Sequence, residues 1–190
     1  AMMEIVYGIG LIVTNATPLG GYVEAYTNVA NKKFLGINYL IWIAIIVAAI
    51  TWFIFNMTRH GKYMYAIGGN PQAAEVAGVP VKATMILIYM KAAAMYGLAG
   101  FMLGAKAGGA SVQTGYGYEM EAIAACTIGG VSVTGGRGKV SSAIIGVAVF
   151  ELLKVALQYL GMNANAQYIA IGVVIFVAIS LDIRKYIARK

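Results

Sequence analysis

Apolar runs long enough to cross a bilayer alternate along this chain with short polar islands, and that alternation predicts its elements. Residues 37–57 (I-N-Y-L-I-W-I-A-I-I-V-A-A-I-T-W-F-I-F-N-M) contain no charge. At 1.5 Å per residue a helix of that length crosses a hydrocarbon layer of roughly 30 Å. Comparable runs cover residues 83–105, 140–160 and 165–183. A shorter one, 119–133, is interrupted by glycine, and such a crossing is tolerated only where protein or water satisfies its backbone, beside a translocation path. The apolar stretch at residues 2–15 falls short of the roughly 20 residues a span needs and reads as the tail of a longer helix. Pro18, Gly20, Gly21, Lys32 and Lys33 make the segment from Thr14 to Gly36 an exposed connection. The pattern predicts an all-α, polytopic transmembrane bundle with about five crossings.

Charge orients these crossings. Trp42 and Trp52 sit towards the two ends of the 37–57 run, as interfacial anchors do, and Arg59, His60 and Lys62 follow it directly, which puts that end in the cytoplasm. With the basic tail D-I-R-K-Y-I-A-R-K also inside, three crossings must follow Ala105, so 119–133 has to reach the cytoplasmic side. Arg59, Lys62, Lys82, Arg137, Lys139, Arg184, Lys185, Arg189 and Lys190 then lie inside, against Lys32, Lys33 and Lys106 outside.

Among the islands, Tyr65 to Val79 (Y-A-I-G-G-N-P-Q-A-A-E-V-A-G-V) stands out. Asn70-Pro71 initiates a turn, Pro71 fits the first helical position, Gln72 to Ala77 are mostly good helix formers, and Gly78 supplies a stop. A helix of at most two turns is expected over 71–78, outside the membrane. The small side chains of Ala73 and Ala74 would let a partner approach the helix backbone closely. An ordinary solvated loop helix is the bland alternative, and the short motif by itself does not exclude it.

Its flanks and two motifs downstream favour a docking helix over that alternative. Gln72-Ala73-Ala74 followed by Gly78 resembles the E-A-A-x-x-x-G motif of importer permeases in the ATP-binding cassette family, with Gln72 in place of Glu. The flank from Gly61-Lys62 through Tyr65-Ala66-Ile67-Gly68-Gly69-Asn70-Pro71 is similar to the sugar permeases of the ribose and galactose branch, most nearly the methylgalactoside permeases. Glu119 to Gly130 resembles that branch's Y-E-L-D-A-I-A-A-x-x-x-G-G signature, with Glu121 where Asp is usual, and residues 129–138 (G-G-V-S-V-T-G-G-R-G) match its G-G-x-S-x-x-G-G-R-G pattern. The resemblance implies that 71–78 is a coupling helix whose Asn70, Pro71, Gln72, Ala73, Ala74 and Gly78 dock on an ATPase subunit. It also implies a second permease subunit, a periplasmic or lipid-anchored sugar-binding protein, the bacterial inner membrane as location, and further helices preceding Ala1, so that this chain is the C-terminal portion of a longer one. ATP and Mg would bind the partner ATPase and no cofactor this chain.

Composition agrees with a membrane chain and removes other classes. With 61% hydrophobic and 11% charged residues among 190, the net charge of +7 reports topology rather than a nucleic-acid surface. One cysteine, Cys126, and one histidine exclude an intrachain disulfide and argue against a His/Cys metal site. The glycine-rich stretch 129–138 is no phosphate loop, because Lys139 is followed by Val140 and the glycine spacing fails. No catalytic residues are expected.

Polar residues inside the apolar runs are the remaining candidates. Lys91 lies well inside the 83–105 run, where a charge costs several kcal/mol and faces protein or water. Glu119 and Glu121 open the next helix, suit its positive end and are read as facing the outer mouth. Glu151 and Lys154, three apart, share a face near the middle of the 140–160 helix. They either line the path or form a compensated pair, with Lys91 as a possible third member; the family generally has uncharged residues there. Gly97, Gly100, Gly104 and Gly108 form a stripe suited to close helix packing. Together these readings describe the transmembrane permease subunit of an ATP-driven monosaccharide importer. The alternatives are an ion-gradient-driven secondary transporter using Glu151 as its ion site, the same importer type carrying a nucleoside or other sugar-like solute, or a non-transporting scaffold.

Overall fold

The computed structural model describes residues 2–187. Among them nine helices and four two-residue strands follow in the order α1 (Met2–Thr14), β1 (Leu19–Gly20), α2 (Glu24–Asn31), β2 (Lys33–Phe34), β3 (Ile37–Asn38), α3 (Tyr39–Met57), α4 (Arg59–Gly69), α5 (Pro71–Val76), α6 (Val81–Ala107), β4 (Gly109–Ala110), α7 (Tyr118–Ile128), α8 (Val140–Tyr159) and α9 (Ala164–Ile187). Helices α3, α6 and α8 are long and apolar enough to cross a membrane, while α1 and the Ala166–Ser180 part of α9 are shorter apolar segments. The chain is thus a helical membrane protein. Arg189 and Lys190, half of the basic tail used above for orientation, lie outside the described residues.

Helix α3 shows why the apolar runs fold as they do. Its sequence is rich in β-branched residues that favour strands in water, but in lipid only a helix satisfies every backbone group within the segment. Its polar side chains follow the same rule: Asn56 Nδ2 donates to the Trp52 carbonyl at 2.8 Å and Thr58 Oγ1 to that of Ile54 at 2.6 Å.

The described residues form two compact units. The first holds residues up to Val47 and Tyr89–Tyr116. The connection expected from Thr14 to Gly36 is more ordered there than its polar composition suggests, since it contains α2 and the β2–β3 hairpin. Leu35 and Gly36, both at positive φ (53° and 79°), make the two-residue turn of that hairpin. Asn38 then ties hairpin to helices: Nδ2 donates to the Ala30 carbonyl at 2.7 Å and Oδ1 accepts from Leu40 N at 2.8 Å, starting α3. Strand β1 pairs with β4 antiparallel, Leu19 opposite Ala110.

The second unit holds Ala48–Ile88 and the residues from Gly117 onward. Its core lies between α7, α8 and α9, where Ala124, Ala125, Phe150 and Ile171 are buried and Ile128 and Ile175 pack against them. Helix α7 is shorter than the 119–133 run suggested, because the chain leaves it at Gly130 (φ 85°). The exit is a Schellman turn, with Gly130 N donating to the Thr127 carbonyl and Val131 N to that of Cys126, both at 2.9 Å. Glycines let α7 and α8 touch backbone to backbone: a Cβ at Gly146 would strike the Ala125 carbonyl oxygen, and one at Gly129 that of Ser142.

Candidate functional site

The polar island folds as two helices joined without a linker, one more than expected. Thr58 opens α4, its Oγ1 accepting from Gly61 N at 3.2 Å, and Gly61 is buried so tightly beneath the end of α3 that a Cβ would strike the Ile54 and Phe55 carbonyls. Asn70 closes α4 through its N–H to the Ala66 carbonyl and opens α5 through Oδ1, which accepts from Gln72 N at 3.0 Å and Ala73 N at 3.1 Å. Pro71 follows at the first helical position. At the far end Gly78 N donates to the Glu75 carbonyl and Val79 N to that of Ala74, a second Schellman turn with Gly78 at φ 81°. Gln72, Ala73, Glu75, Val76 and Gly78 are exposed, Val76 at 90%. Ala74 departs from the expectation that both alanines admit a partner: it is 4% exposed. Asn70→Ala should lower the melting midpoint in detergent by about 3 °C, since losing such a cap costs about 1 kcal/mol.

Helix α4 is in turn seated on the glycine turn between α7 and α8. A Cβ at Gly68 would stand 2.5 Å from Gly136 N, and one at Gly136 would stand 2.7 Å from Gly69 N. The Tyr65 hydroxyl donates to the Gly138 carbonyl at 2.8 Å, and its ring meets Phe55 edge-on with centroids 5.8 Å apart. Two motifs that looked separate in sequence are therefore one structural piece. Tyr65, Gly68, Gly135 and Gly136 enter the sequence reading only as letters of those two motifs, with no role and no contact assigned to them.

Further along α8, Lys154 Nζ lies 2.8 Å from Glu121 Oε2 and 3.7 Å from Glu151 Oε1, and 5.9 Å from the ring centroids of both Tyr118 and Phe150. The pairing of Glu151 with Lys154 thus gains Glu121 of α7 as a further member. Glu119 is exposed and takes no part in this cluster.

The small-residue stripe on α6 is only partly used within this chain. A Cβ at Gly104 would come 2.6 Å from the Tyr26 hydroxyl, which donates to the Phe101 carbonyl at 2.6 Å, whereas Cβ positions at Gly97, Gly100 and Gly108 meet nothing within 4 Å among the described residues. No group of three or more His, Cys, Asp or Glu side chains able to hold a metal occurs among the described residues.

Comparison with known proteins places these features. The model of a family described as the permease component of branched-chain amino acid transport systems matches residues 2–179. The chain belongs to this permease family. Among curated relatives, the permease is 38% identical to the galactose/methyl galactoside import permease of Haemophilus influenzae over 99% of its own length and 58% of the relative's. It is 32% identical to the L-arabinose transport system permease of Escherichia coli (100% and 58%) and 33% identical to the ribose import permease of the same organism (97% and 59%). The chain thus spans rather under two thirds of these relatives. No solved structure matches it.

Proposed function

We propose that this chain is the membrane-spanning part of a permease subunit in an ATP-driven importer of galactose- or ribose-type monosaccharides, with α5 as its dock for the ATPase. The observation that carries the proposal is α5 itself, a short helix capped at both ends, exposed along Ala73 and Val76, in a permease-family chain that lacks a phosphate loop of its own. Ala73 and Val76, three apart, share a face and offer a partner small and apolar contacts. The relatives favour a sugar as cargo, since identity is 37–39% to the galactose/methyl galactoside permeases and 32–33% to the arabinose and ribose ones.

In this reading the permease sits in the bacterial inner membrane with its C-terminus in the cytoplasm, paired with a second permease subunit and served by a sugar-binding protein outside. ATP and Mg bind the ATPase, whose closure displaces α5, and the attached helices rock to open the path in turn. The ion-gradient alternative has weaker support, because the carboxylate it needs, Glu151, already shares Lys154 with Glu121.

Co-purification of the full-length subunit with a galactose-type importer ATPase tests the proposal, comparing wild type with Ala73→Trp. The wild type should capture the ATPase and Ala73→Trp should lose at least about tenfold of that capture with an unchanged melting midpoint, since exposed positions accept substitutions at little cost. This variant is cleaner than Gly78→Trp, where positive φ would strain the turn itself. Equal capture by both forms would remove α5 as the dock. Absence of capture by the wild type would end the importer reading and leave an ion-gradient carrier.

A further inference from the structure

The seat of α4 on the glycine turn connects residues 73 positions apart and has no side chain between the two backbones. That makes it a stiff contact, because neither Gly68 nor Gly136 has a rotamer to give and close-packed backbones transmit displacement. Each side of the contact is also tied internally. On one side α4 and α5 share Asn70 and so move together. On the other, Ser132 N donates to the Arg137 carbonyl at 3.1 Å and Gly135 N to that of Ser132 at 3.2 Å, closing the turn. The turn is continuous with the Schellman exit of α7, and α7 is fixed to α8 at Gly129, at Gly146 and through Lys154 to Glu121.

We infer that the Gly68–Gly136 contact and the hydrogen bond from Tyr65 to the Gly138 carbonyl deliver the displacement of α5 to the α7–α8 hairpin, with Tyr65 and Gly68 as positioning residues. The inference rests on α5 being the ATPase dock. It assigns α7 and α8 as the helices that respond first to the ATPase, although neither is adjacent to α5 in sequence. The peptide link from Gly78 to α6 is the competing route, and Pro80 and the sharp turn at Gly78 set it apart from the straight backbone contact on the α4 side.

Cys126, half-buried on α7, is a reporter that needs no knowledge of the cargo. The full-length subunit bound to its ATPase is trapped with Mg-ATP and vanadate, and N-ethylmaleimide modification of the Cys126 peptide is timed by mass spectrometry. Trapping should change the wild-type rate at least about threefold. Tyr65→Phe, which removes one hydroxyl, and Gly68→Ala, whose Cβ wedges the contact apart, should keep ATPase capture and hydrolysis but reduce that change to less than about half. A merely structural role would lower capture and leave the response of the captured fraction intact. If Gly68→Ala fails to fold, Tyr65→Phe alone decides. Variants that respond as the wild type does, or a captured wild type that shows no change at Cys126, would overturn the inference. Failure of the wild type to capture the ATPase would instead remove the dock beneath it.

Discussion

Gly146→Ala should leave the subunit barely folded, with a melting midpoint in detergent lower by about 6–12 °C, the range for a loss of about 3 kcal/mol in a chain of this size. The new methyl would collide with the Ala125 carbonyl oxygen and lie 2.7 Å from Gly129 N, so two backbone segments rather than one flexible side chain stand in its way. Overpacking costs about 1–3 kcal/mol even where side chains can shift. Here α7 must move off α8, opening the packing around Phe150, which is 2% exposed. Gly172→Ala on α9 is the control, because its Cβ would meet nothing within 4 Å. Helix propensity then predicts a gain of up to about 1 kcal/mol. Equal midpoints for the two variants would mean that α7 and α8 are not in close contact at Gly146.

The second large effect concerns Lys154. Lys154→Met should lower the midpoint by about 6–12 °C, because it leaves Glu121 and Glu151 without the cation they share. Breaking a buried pair by removing one partner costs about 3–5 kcal/mol. The side chains of Lys154 and Glu121 are 27% and 20% exposed, which points to the lower end of that range. The double variant Glu121→Gln with Lys154→Met should recover at least about half of the loss, since it removes a carboxylate along with its counter-ion. Additive losses in this cycle would show that the 2.8 Å contact contributes nothing.

The long helices were legible because their cause is local: a long apolar run in lipid can satisfy its backbone only as a helix. Helix α4 was not. Its sequence R-H-G-K-Y-M-Y-A-I-G-G carries three glycines and no apolar stripe, so it reads as loop. Beyond the local Thr58 cap, what makes it a helix is packing, namely the seat of Gly61 under α3 and the Tyr65 bond to Gly138. Hairpin β2–β3 escaped notice for a similar reason, since Leu35 stands at a positive φ that its side chain does not advertise. In the charged cluster, helical spacing placed Glu151 beside Lys154, but no spacing rule reaches Glu121, 33 residues away. Along the glycine stripe of α6, Gly104 is the position packed against a neighbour among the described residues, and that neighbour, Tyr26, lies 78 residues back in the sequence, beyond the reach of any helical spacing.

Asn70 belongs to both α4 and α5, and this sharing has a bearing on how the island varies among homologous chains. A helix turns by about 100° per residue, so one residue inserted before Pro71 would swing Ala73 and Val76 off the exposed side and bring a different face against α4. Insertions and deletions should therefore be excluded between Gly68 and Gly78, making the segment a ruler whose length is kept.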